Sequence, residues 1–417
     1  MKKISKYSMG LGDRFGQEGE AQLRAILKAR EAGITITPVW NKSHREHQTL
    51  DTNPQEVRTE ADQAVKALGW NGNYFVDADH INRQNVAEFI EVSDFFTIDV
   101  AEYIGQAAAP EEIEQFVKEN NEHPSGLSIP GIEKPFPVDE ELLRKIARQF
   151  LLASREAGNI YRHILQQRGE DNFVTEVSMD EVENPQSPVE LYFILKMLNK
   201  ASVPIQTIAP KFTGNFYKGI DYEGQLEQFT KEFEQDILVI RHAVEKFGLP
   251  ENLKLSIHSG SDKFSLYQPI KTILHKHKAG IHIKTAGTTW LEELIGLAEA
   301  GGDGLELAKN IYAEAYSRYE ELTEPYKPVL DIQEENLPDP DEVNDWSGKK
   351  FAKSLRHQQD AADFNPDFRQ LLHCAYKIAG EKKATYTAAL KRHKEVVEKN
   401  VTENLWERHI QPLFINS

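Results

Sequence analysis

Two carboxylates and an imidazole close the segment NYFVDADHIN (73–82): Asp77, Asp79 and His80 follow the strand-like Tyr74, Phe75 and Val76. Burying a carboxylate costs several kcal/mol unless it is paired, hydrogen-bonded or bound to a metal. Similar residues end other apolar runs. FFTIDV (95–100) carries Asp99, and FVTEVSM (173–179) puts Glu176, Ser178 and then Asp180 on one face by period two. IQTIAPKF (205–212) carries Lys211, LKLSIHS (253–259) pairs Ser256 with His258, and GIHIKTA (280–286) pairs His282 with Lys284. Singly, such residues serve as helix caps or hydrogen-bonded structural groups. Converging on one place, they suit a divalent-metal site. His80, His258 and His282 would be three neutral imidazole ligands with a position left open for substrate oxygens. Asp79 and Glu176 then become the acid–base candidates, with Glu176 as a fourth ligand the alternative. Zinc suits three imidazoles best, and manganese, cobalt, nickel or iron also fit.

Four cations are candidates for holding an anionic substrate: Arg14, Lys211, Lys263 and Lys284, each also able to serve in a structural salt bridge. Arg14 lies in GLGDRFG (10–16), which is neither the dinucleotide fingerprint nor a P-loop. Lys263 follows Ser259, Gly260 and Ser261 in HSGSDKF, where small residues can bend the chain and present donors.

The elements that must position these groups alternate along the chain. Strand-like runs at 6–10, 34–40, 73–79, 95–100, 173–179, 205–212, 253–259 and 280–286 each hand over to a helical pattern. The clearest helices are at 18–32, 54–68, 140–167 and 224–247. Eight such units predict an α/β fold, a (β/α)8 TIM-type barrel, with strand-end residues at its C-terminal mouth. The catalytic barrel is expected over 1–325 with an insertion near 121–170, and a helical C-terminal segment over 326–417 packed on it.

Net charge is −17, which argues against a nucleic-acid partner. One cysteine, Cys374, excludes an internal disulfide, and no run of about 18 apolar residues suggests a membrane span. A cytoplasmic enzyme with a small-molecule partner is expected; the oligomeric state is not legible.

The stretches GLGDRFG, DADHIN, FFTID, EVSMDEVENPQSP, KGIDYEG, SIHSGSDKFSLY, HIKTAGTTWLE and RQLLH, in order from 10 to 373, resemble the tagaturonate/fructuronate epimerase family. The resemblance implies a metal-dependent barrel enzyme that interconverts D-tagaturonate and D-fructuronate. It implies Asp79 as proton acceptor, Glu176 as proton donor and His80 on the metal. This chain departs from the family pattern at Val100–Ala101–Glu102–Tyr103 and at Asn215–Phe216–Tyr217. The two sugar acids differ at C4, counting the ketone as C2. That C–H is adjacent to neither carbonyl group, so its loss gives no enolate, and no nicotinamide fingerprint supports a hydride route. Retro-aldol cleavage and re-addition across C3–C4 is the expected chemistry. The Asp–His strand end is also similar to class II metal-dependent aldolases, which makes a lyase acting on a keto sugar or sugar acid, or an epimerase of a related sugar acid, the alternative.

Overall fold

Eight parallel strands pair in chain order and close on themselves, β1 to β2 through β7 to β8 and β8 back to β1. The computed structural model describes all residues except 1, 122–125, 171, 181, 259–261, 285–286, 359 and 416–417, and omits the side chains of 287–288. The strands are β1 (Tyr7–Gly12), β2 (Ile36–Ser43), β3 (Phe75–Ile81), β4 (Phe95–Asp99), β5 (Val174–Met179), β6 (Thr207–Pro210), β7 (Lys254–His258) and β8 (Ile281–Lys284). The (β/α)8 expectation is met strand for strand. β2 runs beyond the expected 34–40 to Ser43, which brings Asn41 into register with Asp77.

Alternation along each strand sends one residue inward and the next toward the helices. The inward set is apolar only at its floor, where Val39, Phe75, Phe95 and Val174 pack with Ile4 from the N-terminal segment. Above that plug the inward residues turn polar, which no core requires. The larger apolar cluster lies outside the strands, between barrel and helices.

Local chemistry sets the helix ends. In the helix Pro188–Lys200, Ser187 and Glu190 form a reciprocal capping box and Pro188 takes the first helical position. Helix Glu140–Arg168 starts where Asp139 accepts from the Leu142 amide at 2.8 Å, and stops at Gly169, whose φ is 73°. This helix and Pro110–Asn120 both lie between β4 and β5. No helix among the described residues is long and apolar enough to cross a membrane.

The helix after β8, Gly287–Ala300, belongs to a second apolar cluster. Its Trp290 and Leu294 pack with Tyr312, Phe351, Phe368 and Tyr386 of the following helical segments. Gly296 permits this closeness: a Cβ there would lie 2.7 Å from the Val397 Cα. One buried carboxylate ties the barrel to the C-terminal segment. Asp262, shortly after β7, is 2.9 Å from Arg369, 3.1 Å from His357 and 3.0 Å from His409.

Glu292, on the same helix as Trp290, accepts from Asn404 at 3.0 Å and is fully enclosed. Burial pushes its carboxyl up to about 7, against the opposing pull of Arg369 and Arg408. The folded protein therefore keeps a proton that an unfolded glutamate releases near pH ~4.3. Stability from this group is complete below that value and is lost as pH rises through about 7. Glu292→Gln keeps a neutral acceptor and removes the titration. The thermal midpoint of the variant is expected to fall less between about pH 5 and pH 8 than that of the parent, measured by circular dichroism at matched ionic strength.

Candidate active site

At the centre of the barrel a single ammonium group meets three carboxylates. Lys284 Nζ is 2.7 Å from Asp77 Oδ2, 2.7 Å from Asp79 Oδ1 and 3.1 Å from Glu176 Oε1. It also donates to the Thr97 hydroxyl at 2.6 Å, which lies 2.9 Å from Asp77 and 3.1 Å from Glu176. The lysine stem runs against β1 at Gly10, where a Cβ would come within 2.9 Å of Lys284 Cγ. These charges are buried, so their pairing decides their ionisation. Burial, the largest influence on Lys284, disfavours its charged form, but Asp77, Asp79 and Glu176 overcome it and hold the ammonium well above its usual range. Burial would likewise raise Glu176, yet Lys284 and His258 hold it well below the carboxylate range. Asp77 is the exception: burial outweighs Lys284 and lifts it to about 6.

Above this cluster stand two imidazoles. Strict alternation would send His80 outward. The β3–β4 register slips between Ala78 and Ile81, and His80 takes a positive φ of 51°, so Asp79 and His80 both serve the mouth. His80 Nδ1 donates to Asp99 Oδ2 at 3.0 Å, which leaves Nε2 as its lone-pair nitrogen. His258 Nε2 donates to Glu176 Oε1 at 2.8 Å, which leaves Nδ1; this atom is buried without a hydrogen bond and lies 3.3 Å from Asp180 Oδ2. The Ser178 hydroxyl donates to the other oxygen of Asp180. The ring centroids of His80 and His258 are 5.1 Å apart.

His80, Asp180 and His258 can each offer one ligand atom, all within 4.8 Å of one another, and so form a group that could hold a metal ion. The donor set fits a divalent cation. Each imidazole is oriented by a carboxylate behind it, an arrangement that fixes the tautomer of a metal-binding histidine. Five carboxylates, Asp77, Asp79, Asp99, Glu176 and Asp180, share this space with one lysine, and the excess of negative charge calls for a further cation. The same imbalance lets Asp180 and Glu176 hold the His258 imidazolium up at about 9, although burial works against it.

The structure differs from the expected ligand set in one member. His282 sits one layer deeper, level with Ser8 and Ser256, bonded through Nδ1 to the Ser8 hydroxyl at 2.9 Å and packed on Phe95 at 5.4 Å. Burial keeps it neutral, its pKa lowered to about 3. It does not join His80 and His258; Asp180 does. Period two had put Asp180 on the right face, but not at the right height.

The expected substrate cations also divide. Lys211 lines a cavity of about 680 Å³ that Asp180 and His258 also line, and its ammonium donates to the Val182 carbonyl. Lys284 lies in the centre described above. Arg14 is buried in an ion pair with Glu46 at 2.8 Å and stacks on Tyr376 at 4.1 Å. Lys263 donates to the Tyr217 and Ile220 carbonyls at 2.9 and 2.7 Å, bracing the loop after β6. Ser259, Gly260 and Ser261 lie outside the described residues. The cavity also carries Arg45, Tyr326 and Lys218, the first residue of KGIDYEG, none of which was among the expected site residues. A smaller cavity of about 370 Å³, at the opposite rim beside Lys6, Lys254 and Gly280, is remote from all of these groups.

The sequence model of the UxaE family, described as tagaturonate epimerase, matches residues 1–413. The chain belongs to the tagaturonate epimerase family. It is accordingly an enzyme of the epimerase class. It is 27% identical to the tagaturonate/fructuronate epimerase of Thermotoga maritima over 97% of this chain and 80% of that one. Crystal structures of fructuronate-tagaturonate epimerase UxaE from Cohnella laeviribosi share its fold. The one with one glycerol bound has a TM-score of 0.79 at 24% identity, covering 98% of this chain and 81% of that one. The one with two glycerols has 0.80 at 24% identity, covering 100% and 83%.

Lys284→Met leaves Asp77, Asp79 and Glu176 buried without their cation. A loss of about 3–5 kcal/mol is expected in urea unfolding near neutral pH. Without the lysine the carboxyl pKa values rise, so the deficit shrinks as pH falls and the groups protonate. Unfolding curves at two pH values check both statements.

Proposed function

We propose that this chain interconverts D-tagaturonate and D-fructuronate by metal-assisted retro-aldol cleavage and re-addition, with His80, Asp180 and His258 holding the metal. The observation that carries the reading is the pairing of that ligand group with two buried carboxylates on one lysine, 2.7 and 3.1 Å from it. When bound, a divalent metal would supply Lewis-acid stabilisation of the negative charge that develops at the ketone end of the substrate.

The remaining steps fall to the protein. Asp79, held ionised by Lys284 at the barrel mouth, takes the proton of the C4 hydroxyl. The C3–C4 bond then breaks, its electron pair staying with C3, and C4 becomes an aldehyde carbon. Rotation of the aldehyde presents its other face, and C3 re-adds with inverted configuration at C4. Lys284 touches both carboxylates and is placed to pass the proton taken by Asp79 on to Glu176. Glu176 then returns that proton to the new C4 oxygen, which leaves both carboxylates ionised as at the start. Retention of the two fragments until re-addition is what separates an epimerase from an aldolase.

Metal binding separates the ligand assignments. By calorimetric titration with zinc or manganese, Asp180→Ala and His258→Ala are expected to lose about 10-fold or more in affinity. His282→Ala is expected to keep nearly all of it, and the reverse order would restore the three-histidine set.

An NMR time course tests the reaction. Metal-loaded protein with D-tagaturonate should form D-fructuronate, a chelated control should not, and Asp79→Asn and Glu176→Gln should each slow turnover by about 10²- to 10⁴-fold. Release of free three-carbon fragments instead would make the enzyme an aldolase.

A further inference from the structure

The cavity lined by Asp180 and His258 also carries the cations Arg45, Lys211 and Lys218, with Glu183 as its other acid, in a chain whose net charge is −17. Arg45 comes from the helix His44–Leu50, directly after β2, and Lys218 from the loop after β6. In a ring of eight strands paired in order, β2 and β6 stand on opposite sides. Their loops nevertheless bring both cations to one ring. The Arg45 guanidinium and the Lys218 ammonium each lie 5.2 Å from the centroid of Tyr326, which belongs to the turn of helix Glu324–Val329.

That ring is held in place. The Tyr326 hydroxyl is 2.8 Å from the hydroxyl of Tyr376, Tyr376 lies under Arg14, and Arg14 pairs with Glu46, the neighbour of Arg45 on its helix. On the other side the Lys218 amide donates to the Val329 carbonyl at 2.9 Å. The same turn is therefore tied to both cation-bearing segments, and the gap between the cations is set by the fold.

We propose that Arg45 and Lys218 are the specificity residues that bind the carboxylate of the sugar acid, with Tyr326, whose ring both contact, as the positioning residue. The inference rests on the hexuluronate reading of the site and deepens it. In a hexuluronate the ketone carbon and the carboxylate stand at opposite ends, on either side of C4. With the ketone end beside Asp180 and His258, the carboxylate lies away from them, and Arg45 and Lys218 are cations of the same cavity that can receive it. A planar guanidinium fork and an ammonium point charge suit one carboxylate between them. Neutral ketoses, which end in a hydroxymethyl group, gain nothing there.

Steady-state kinetics and calorimetry on the metal-loaded full chain test the assignment. For Arg45→Gln and Lys218→Gln the KM for D-tagaturonate should rise roughly 10- to 100-fold, more than kcat falls. Arg45→Lys should recover most of that loss, and Tyr326→Ala should raise KM while Tyr326→Phe raises it less. A KM within twofold of the parent in both glutamine variants would overturn the proposal. So would parallel losses of kcat, KM and thermal midpoint with no recovery in Arg45→Lys, since that is the pattern of a structural role. Titration of D-tagaturonate into the parent protein separates the two levels of the argument. Binding without turnover, lost in the glutamine variants, refutes the epimerase reading and upholds the carboxylate site. Turnover with unchanged KM in the variants refutes the carboxylate site and leaves the epimerase reading standing. Neither binding nor turnover in the parent refutes both.

Discussion

The ammonium of Lys284 is the constraint from which the rest of the barrel interior follows. Asp77, Asp79 and Glu176 come from two different strands and could not share a buried space without a cation between them. The lysine reaches them from β8 because β1 offers glycine at position 10, where a side chain would strike its stem. Beneath, Phe95 and its apolar neighbours close the floor, so water does not reach the cluster from the N-terminal end. A low-dielectric base makes the pairing strong, and strong pairing keeps Asp79 and Glu176 ionised.

From that cluster the geometry of the two imidazoles is passed upward. Glu176 gives one oxygen to both Lys284 and His258, so the position of the lysine fixes the tautomer of the histidine. His80 receives the same treatment from Asp99, on the neighbouring strand. Each ring thereby keeps one nitrogen outside these bonds, and Asp180 faces that nitrogen of His258, which a bound metal would take in place of its proton. Only one of the two histidines needs unusual backbone. β7 delivers His258 by alternation alone, while His80 depends on the slipped register and positive φ at the end of β3. That strained residue is retained where the surrounding hydrogen bonds over-determine it.

Most of the architecture was legible in the sequence, since alternation and capping are local. The eight strands, the long helix after the insertion and the capped helix starts all follow from residues within a few positions of one another. The face on which most polar residues lie was legible for the same reason, with His80 the exception, since its face depends on the slipped register and positive φ. Height along the barrel axis was not, because it depends on the register between strands far apart in the chain. His258 pairs with Lys284 and belongs to the mouth, whereas His282 pairs with Ser8 and Ser256 and lies below it. Chemical type favoured the third histidine; register favoured the aspartate. The cations fail for a related reason. Arg14 and Lys263 sit in suggestive glycine- and serine-rich motifs but brace the scaffold, while Arg45 lies in no motif, Lys218 opens KGIDYEG without a pattern that marks a binding cation, and both meet the ring of Tyr326.

The C-terminal segment follows from the same logic. A barrel mouth is built from loops, and loops alone leave long polar side chains poorly fixed. Here the loop after β6 is held from below by Lys263 and from the side by Arg369, whose guanidinium donates to the Gly219 carbonyl and pairs with Asp262. Asp262 in turn is bound by His357 and His409, so residues some 50 positions apart in the C-terminal segment converge on one carboxylate beside β7. The apolar packing of Trp290 with Tyr386 and Phe15 joins the same segment to the helix after β8 and the loop after β1. Removing these helices would strip the buried partners from Asp262 and the ring from Arg45 and Lys218. The segment is thus a structural part of the mouth, and the cavity walls and the catalytic floor depend on one continuous set of contacts.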